Sequence, residues 1–240
     1  MSIPLAVVGC GKMGRLVEQL AGSYGFGVSA RFSRSNVATL SRETLKGAAV
    51  AIEFTNPIAA PDNIRRLASC GLRTVCGTTG WYEELPQMRQ LMSQSGLALV
   101  YGANFSIGMN LFMEMVGRAA KLFAEHPEYE AWGWEIHHSA KKDAPSGTLK
   151  KLAEEMRAAG FAGALSLSSN RAGAHTGTHE IGFDSQDDTI TLRHTARSRE
   201  GFARGALQAA RWIAGKKGVF EFRQIVHELR SIEAAAGGSA

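Results

Sequence analysis

The stretch Leu5-Ala6-Val7-Val8-Gly9-Cys10-Gly11-Lys12-Met13-Gly14 decides how the rest of the chain is read. Its first four residues form an unbroken apolar run, as in a strand buried on both faces. Gly9, Gly11 and Gly14 then make a G-x-G-x-x-G pattern, and Met13 to Leu20 continues with helical spacing. Alone, the pattern is a weak signal. Between an apolar strand and a helix it acquires physical meaning: Gly9 permits the tight turn, Gly11 lets the backbone approach a pyrophosphate, and Gly14 lets helix and strand pack closely. The helix N-terminus adds unpaired N–H groups and the positive end of its dipole. The loop Gly9, Cys10, Gly11, Lys12, Met13, Gly14 is therefore expected to hold a dinucleotide's phosphates. A tight strand–helix turn with no ligand is the plainer alternative.

Working outward, strand-like and helix-like segments alternate through the first hundred residues. Val28 to Phe32, Ala48 to Phe54, Arg73 to Cys76 and Leu97 to Tyr101 read as strands, with helices over Asn63 to Ala68 and Glu83 to Ser95. Such a series predicts a doubly wound parallel sheet covered on both faces. After Asn104 the texture changes. A long amphipathic helix, about Met109 to Phe123, leads into the alternating run Glu130 to His137. Glu180 to Phe183 and Thr189 to His194 follow as further strands of an open mixed sheet, with Trp132 and Trp134 expected in its core. Phe202 to Ile213 and Val219 to Phe222 read as a helix and strand that return to the first domain. The expected architecture is an α/β dinucleotide-binding domain at 1–105 and 200–240, with an α+β substrate-binding and oligomerisation domain inserted at 106–199.

Composition excludes several classes. The chain has 240 residues, and Lys+Arg 27 against Asp+Glu 22 leaves a net charge of +5. That surplus is not gathered in any basic block, so no nucleic-acid partner is expected. No run of apolar residues is long enough for a membrane span, and the N-terminus reads as a first strand rather than a signal peptide. Three cysteines, an odd number in small or apolar surroundings, suggest a reduced, cytoplasmic compartment. No Cys/His spacing resembles a zinc site, so no metal is expected. The tail from Ala234 to Ala240 reads as frayed.

Two further segments carry chemistry. At the end of the second strand, NAD-specific sites place an acid on the ribose 2′-OH. Here the residues are Arg31-Phe32-Ser33-Arg34, and no acid comes before Glu43. Ser33 and Arg34, with Lys12, can pair with a 2′-phosphate, so NADPH is expected in preference to NADH. Solvated surface charges are the alternative reading. The densest polar segment is Glu135-Ile136-His137-His138-Ser139-Ala140-Lys141-Lys142-Asp143-Ala144-Pro145-Ser146-Gly147-Thr148. Ser146 is a good N-cap, after which Gly147 and Thr148 present free N–H groups. A carboxylate could sit there beside His138 and Lys141, provided the strand ends near His137. A solvated charge run capping a helix is the alternative.

The E-x-HHxxKxDAPSGT pattern from Glu135 to Thr148 resembles the signature of the dihydrodipicolinate reductase family. Matches at Glu53 to Thr55 (EFT), Gly77 to Gly80 (GTTG), Gly102 to Gly108 (GANFSIG) and Phe202 to Phe222 extend the resemblance over nearly the whole chain. It implies that Gly9 to Gly14 hold the pyrophosphate. It implies too that the backbone at Gly77, Thr78 and Thr79, and at Gly102, Ala103, Asn104 and Phe105, lines the nicotinamide side. His137 and Lys141 take the proton-transfer positions, Lys141 as the favoured donor, and His138, Gly147 and Thr148 those that bind a cyclic dicarboxylate. The implied reaction is reduction of 4-hydroxy-tetrahydrodipicolinate with NADPH or NADH in lysine and diaminopimelate biosynthesis, by a homotetramer. Two departures bear on the cofactor: the glycine loop is one residue shorter than the family's usual G-x-x-G-R-M-G and has Lys12 for Arg, and Ser33-Arg34 replaces the second-strand acid. The competing readings are an aspartate- or homoserine-type dehydrogenase, which has no reason to carry HHSAKKDAPSGT, and a non-catalytic NADP-binding sensor. Trp81 reads equally as core or as a cofactor flank. Arg171, His175, His179, Arg193, His194, Arg197 and Arg199 could add to an anion-binding pocket, but nearby Glu180, Asp184, Asp187, Asp188 and Glu200 suggest ordinary surface pairing.

Overall fold

The computed structural model describes residues 1–236, with side chains as far as Leu229. The tail expected to fray lies outside the described side chains, and its last four residues outside the described backbone. The chain divides into two compact units, Met1–Ile107 together with the segment from Glu200 on, and Gly108–Arg199.

The first unit is built on six parallel strands: β1 (Ile3–Val8), β2 (Phe26–Phe32), β3 (Val50–Glu53), β4 (Arg73–Cys76), β5 (Ala98–Tyr101) and, from the returning segment, β10 (Gly218–Glu221). Their order is β10-β5-β4-β3-β1-β2. Every residue of β3 and β5 is buried, whereas the edge strands β2 and β10 are not. This is the burial that a parallel sheet covered on both faces requires. Helix α1 (Lys12–Ala21) buries Gly14, Val17 and Ala21 along one face and packs against α6 (Glu200–Trp212). Helices α2 (Ala60–Ser69) and α3 (Leu85–Ser95) pack on one another and on the sheet; α7 (Phe222–Ala236) follows β10. Between β2 and β3 there is no α-helix, only a single 3-10 turn at Val37–Thr39 and a loop anchored by buried Leu40 and Leu45. Because β2 and β3 lie on opposite sides of β1, the connections diverge there. The carboxyl ends of β1 and β3 form a topological switch point, where open α/β sheets bind ligands.

The second unit has four strands, β6 (Glu130–His137), β7 (Leu165–Arg171), β8 (Thr178–Asp184) and β9 (Thr189–Thr195), in the order β7-β6-β8-β9. Strands β6 and β7 are parallel and the other pairs antiparallel. Helices α4 (Ile107–Phe123) and α5 (Gly147–Ala158) cover one face, packing Met109, Phe112, Val116, Leu149, Leu152 and Met156 against Ala131, Ile181 and Phe183. On β6 the covered face carries Ala131, Gly133, Glu135 and His137, all buried, so Trp132 and Trp134 occupy the other, half-exposed face. The expectation that these tryptophans are core is therefore corrected: the strand's alternation is real, but its small and polar residues face the helices.

Candidate functional site

Gly9 ends β1 with φ at +101°, and a Cβ there would lie 2.1 Å from the Phe54 carbonyl oxygen. A Cβ on Gly14 would lie 1.9 Å from the Gly9 carbonyl oxygen. Both positions therefore exclude any side chain, and together they bring α1 down onto the exit of β1. Over Gly11, by contrast, a Cβ would meet nothing within 4 Å. Gly11 is the N-cap of α1 and offers no side-chain acceptor, and the first turn holds no acidic residue. Free N–H groups, a positive dipole end and open space thus coincide, as an anion site needs.

Two adjoining hollows flank this loop. One, of about 390 Å³, is lined by Gly11, Lys12 and Met13 with Phe54 to Pro57 and Gly77, Thr78 and Thr79. The other, of about 520 Å³, is lined by Gly9, Cys10 and Gly11 with Phe32, Ser33, Arg34 and Val37. Among the described residues, none that lines the second hollow is acidic. Arg31 is drawn away into an ion pair with Glu18, its Nε 2.7 Å from Oε1. Ser33 is held by its turn, its N–H donating to Asn36 Oδ1 at 2.6 Å. The residues present fit a dinucleotide whose phosphates lie at the α1 N-terminus. Gly102, Ala103, Asn104 and Phe105 follow β5 without lining either hollow; the Phe105 ring is buried against Phe54 and Phe222. Trp81 is a core residue: its indole N–H donates to the Thr78 carbonyl at 2.7 Å, and its ring packs edge-on to Tyr82 and Tyr101.

In the second unit, strand register assembles the polar residues. Glu135 stands opposite Ser169 on β7 and His179 on β8, His179 stands opposite His194 on β9, and His137 stands opposite Arg171. At this end, therefore, the helix-covered face changes from apolar to polar. Glu135 is fully buried. Its Oε1 accepts from Ser146 N at 2.7 Å, Arg171 Nη2 at 2.8 Å and Ser169 Oγ at 3.0 Å. Its Oε2 accepts from Ser146 Oγ and faces His179 Nε2 at 3.3 Å and His137 Nδ1 at 3.6 Å. Burial alone would push the carboxyl up, but the hydrogen bonds from Ser146, Arg171 and Ser169 outweigh it and hold the group at about 2. Burial pushes His179 down to about 4 and lowers His137 as well.

Strand β6 ends at His137, and a turn carries the chain away from the sheet, leaving His138 half-buried. Lys141 Nζ sits 2.7 Å from Asp143 Oδ1, and that bond holds the Asp143 carboxyl below its usual range. Ser146 caps α5, its Oγ accepting from Leu149 N at 3.2 Å. The first intrahelical bond is Lys150 N to Ser146 O, so the Gly147 and Thr148 N–H groups precede the helical ladder. The structure thus gathers His137 and the α5 N-terminus around Glu135, with Lys141 on the connecting loop. Arg171 and His179, read from the sequence as surface charges, are corrected: both are tied to Glu135 in the interior. Ser169 was missed outright. Arg193 does pair at the surface, with Glu180 at 3.4 Å.

Glu135, His137 and His179 also bring one ligand atom each within 4.8 Å of one another, a spacing able to hold a metal ion. The sequence spacing gave no sign of it. Two observations weigh against such a use. The carboxylate's lone pairs are already engaged by Ser146, Ser169 and Arg171, and the guanidinium beside Oε1 is a resident positive charge.

A glycine loop at a switch point, with a polar site in an inserted α+β unit, defines a nicotinamide-dinucleotide oxidoreductase. Comparison with known proteins narrows the class. Residues 3–105 match the family model for dihydrodipicolinate reductase, N-terminus, and residues 108–226 that for the C-terminus. The chain belongs to the dihydrodipicolinate reductase family. It is 33% identical over 221 residues to 4-hydroxy-tetrahydrodipicolinate reductase of Rickettsia bellii, covering 86% of this chain and 87% of that protein. With the protein of the same name from Methanoregula boonei it shares 31% over 251 residues, covering 92% and 97%. In fold it resembles dipicolinate-bound dihydrodipicolinate reductase from Paenisporosarcina sp. TG-14, with a TM-score of 0.71 and 23% identity over 94% of this chain and all of that one.

Proposed function

We propose that this chain reduces 4-hydroxy-tetrahydrodipicolinate to tetrahydrodipicolinate in lysine and diaminopimelate biosynthesis, with NADPH preferred over NADH. The observation that carries the reading is the Glu135–Thr148 segment: its two histidines, its two lysines and a capped helix N-terminus whose first N–H groups lie outside the helical ladder suit a dicarboxylate. Gly9 to Gly14 hold the pyrophosphate, Ser33, Arg34 and Lys12 the 2′-phosphate, and Gly77 to Thr79 with Gly102 to Phe105 the nicotinamide side. The chemistry that a reduced nicotinamide would supply when bound is hydride donation to C4 of the substrate, once its 4-hydroxyl has left as water to give a conjugated cyclic imine.

His138, Gly147 and Thr148 hold the substrate's carboxylates by charge and by helix N–H groups. Lys141 carries the proton that the resulting enamine requires, and His137 is its neighbour in proton transfer. The half-exposed sheet face with Trp132, Trp134 and Ile136 is the surface on which a homotetramer assembles. The enzyme works in the cytoplasm. The test is NADPH absorbance with the product of dihydrodipicolinate synthase supplied, then with aspartate semialdehyde alone. Oxidation is expected only in the first. Oxidation with aspartate semialdehyde, or none with either, overturns the proposal.

A further inference from the structure

We infer that Glu135 is a positioning residue of the substrate site, a buried carboxylate that fixes His137 and the N-terminus of α5 relative to one another. The inference rests on the reading of His137, Gly147 and Thr148 as substrate-facing residues. Its physical basis is the number and origin of the groups that converge on one side chain. Ser146 donates twice, from its backbone N–H and its hydroxyl, and the same hydroxyl caps α5 at Leu149 N. The carboxylate therefore controls the orientation of the cap, and the cap decides where the first N–H groups of α5 point. Arg171 neutralises Glu135 and also donates to the Asp143 carbonyl, so the loop carrying Lys141 is tied to the same point.

Charge balance alone does not explain the arrangement. A buried Arg–Glu pair is no better for stability than apolar residues of similar volume. What the pair adds is direction, because Oε2 is left facing two imidazoles, His137 Nδ1 at 3.6 Å and His179 Nε2 at 3.3 Å. His137 is confined on its other edge too. A Cβ on Gly177 would come within 2.9 Å of Nε2, so that glycine allows the ring its place. The charged and titratable groups around His137 are Glu135 on its own strand, Arg171 from β7, His179 from β8, and Lys141 and Asp143 from the loop. Burial, Lys141 and Arg171 disfavour the imidazolium, whereas Glu135 and Asp143 favour it. His137 Nδ1 makes no hydrogen bond among the described residues, and the carboxylate 3.6 Å away acts on it by charge, which favours the proton of a neutral ring on Nδ1 and leaves the lone pair on Nε2. Glu135 thus sets the tautomer as well as the position.

The test uses the full chain with histidines labelled for NMR. In the unmodified protein His137 is expected as the neutral Nδ1–H tautomer at pH 7; an Nε2–H tautomer overturns the inference without any substitution. Glu135→Gln keeps the shape and removes the charge. It is expected to lower the His137 titration midpoint by about one pH unit, raise substrate KM about tenfold and leave NADPH Kd within about twofold. Ser146→Ala, which keeps the Glu135 charge, is expected to raise substrate KM while leaving the His137 midpoint in place. If Glu135→Gln lowers Tm but changes neither the His137 midpoint nor substrate KM, Glu135 is merely structural and the inference fails. Should the substrate not turn over at all, the functional proposal fails, and the histidine titration still tests the Glu135–His137 coupling by itself.

Discussion

Gly11 and Gly14 belong to one motif yet should fail for opposite reasons when changed to alanine. At Gly14 the added Cβ falls 1.9 Å from the Gly9 carbonyl oxygen, whereas a tight C···O contact is roughly 3.3 Å. Helix α1 and the β1 exit must then separate by about 1.4 Å, and both contacting groups are backbone, with no rotamer to yield. Overpacking of this kind costs about 1–3 kcal/mol, and about 2 kcal/mol lowers Tm by roughly 4–8 °C for a chain this long. At Gly11 nothing lies within 4 Å of the new Cβ and φ is −75°, so alanine fits the free protein. The loss of a favourable N-cap residue costs at most about 1 kcal/mol. The same Cβ does, however, enter the space assigned to the pyrophosphate. Thermal melts and NADPH fluorescence titrations of both variants separate the two effects. Gly14→Ala should lower Tm by roughly 4–8 °C and raise Kd at least about tenfold, whereas Gly11→Ala should lower Tm by no more than about 2–4 °C and raise Kd by a similar factor. Unchanged NADPH affinity in Gly11→Ala would refute the placement of the phosphates, and an unchanged Tm in Gly14→Ala would refute the close approach.

Three further outcomes are expected. Lys141→Ala should lower kcat by about 10²–10⁴ with NADPH Kd nearly unchanged; near-normal turnover would remove Lys141 from the proton-transfer role. Arg34→Ala should reduce kcat/KM with NADPH while leaving NADH nearly untouched, since only the former carries the 2′-phosphate; equal losses with both would show Arg34 to be a surface charge. Acid should destabilise the second unit in two stages. Burial keeps His179 neutral down to about 4, so the unfolded chain takes up its proton first and stability falls as pH drops from about 6.5 to about 4, by on the order of 3 kcal/mol. Glu135, depressed to about 2, adds stability that is present above about 4.5 and lost as pH falls from there towards 2. Flat melting temperatures between pH 7 and pH 4 would contradict the first stage.

The parts of this fold that were legible in the sequence are those in which local pattern and burial coincide. Leu5 to Val8, Ala98 to Tyr101 and the glycine loop read correctly because a strand buried on both faces has no polar residues to alternate with. Strand β7 was missed for the converse reason. Leu165-Ser166-Leu167-Ser168-Ser169-Asn170-Arg171 has only two apolar residues, and on the inward face of its second half stand the polar Ser169 and Arg171, opposite Glu135 and His137, while Ser168 and Asn170 are exposed. Arg171 and His179 were illegible because their partner lies more than thirty residues away, and only register brings the three together. The tryptophans, expected in the core, lie on the other face because Leu149 and Leu167 pack closely against Gly133, leaving the helix-covered side of β6 room only for small residues.

Both units use the same local solution at the carboxyl end of a strand, and the difference between the two explains their chemistry. Glu53, at the end of β3, is as fully buried as Glu135. It accepts from Thr55 N at 3.1 Å, from the Thr55 hydroxyl, from Cys76 Sγ at 3.1 Å and from Asn63 Nδ2 at 3.4 Å. Thr55 N also donates to Thr78 Oγ1 at 2.8 Å, so the two loops lining the smaller hollow are joined through this cluster. Each of these donors is uncharged. Burial, with the Glu53 carboxylate beside it, pushes the Cys76 thiol well up, which keeps it an S–H donor and not a reactive thiolate. Around Glu135, by contrast, the donors include a guanidinium, and two imidazoles face the carboxylate. A cofactor platform needs fixed loops and no proton traffic, and neutral donors meet that need. On the proposed function, the second unit passes a proton to its substrate, which calls for titratable groups held in register, and Glu135, His137, Arg171 and His179 are held so.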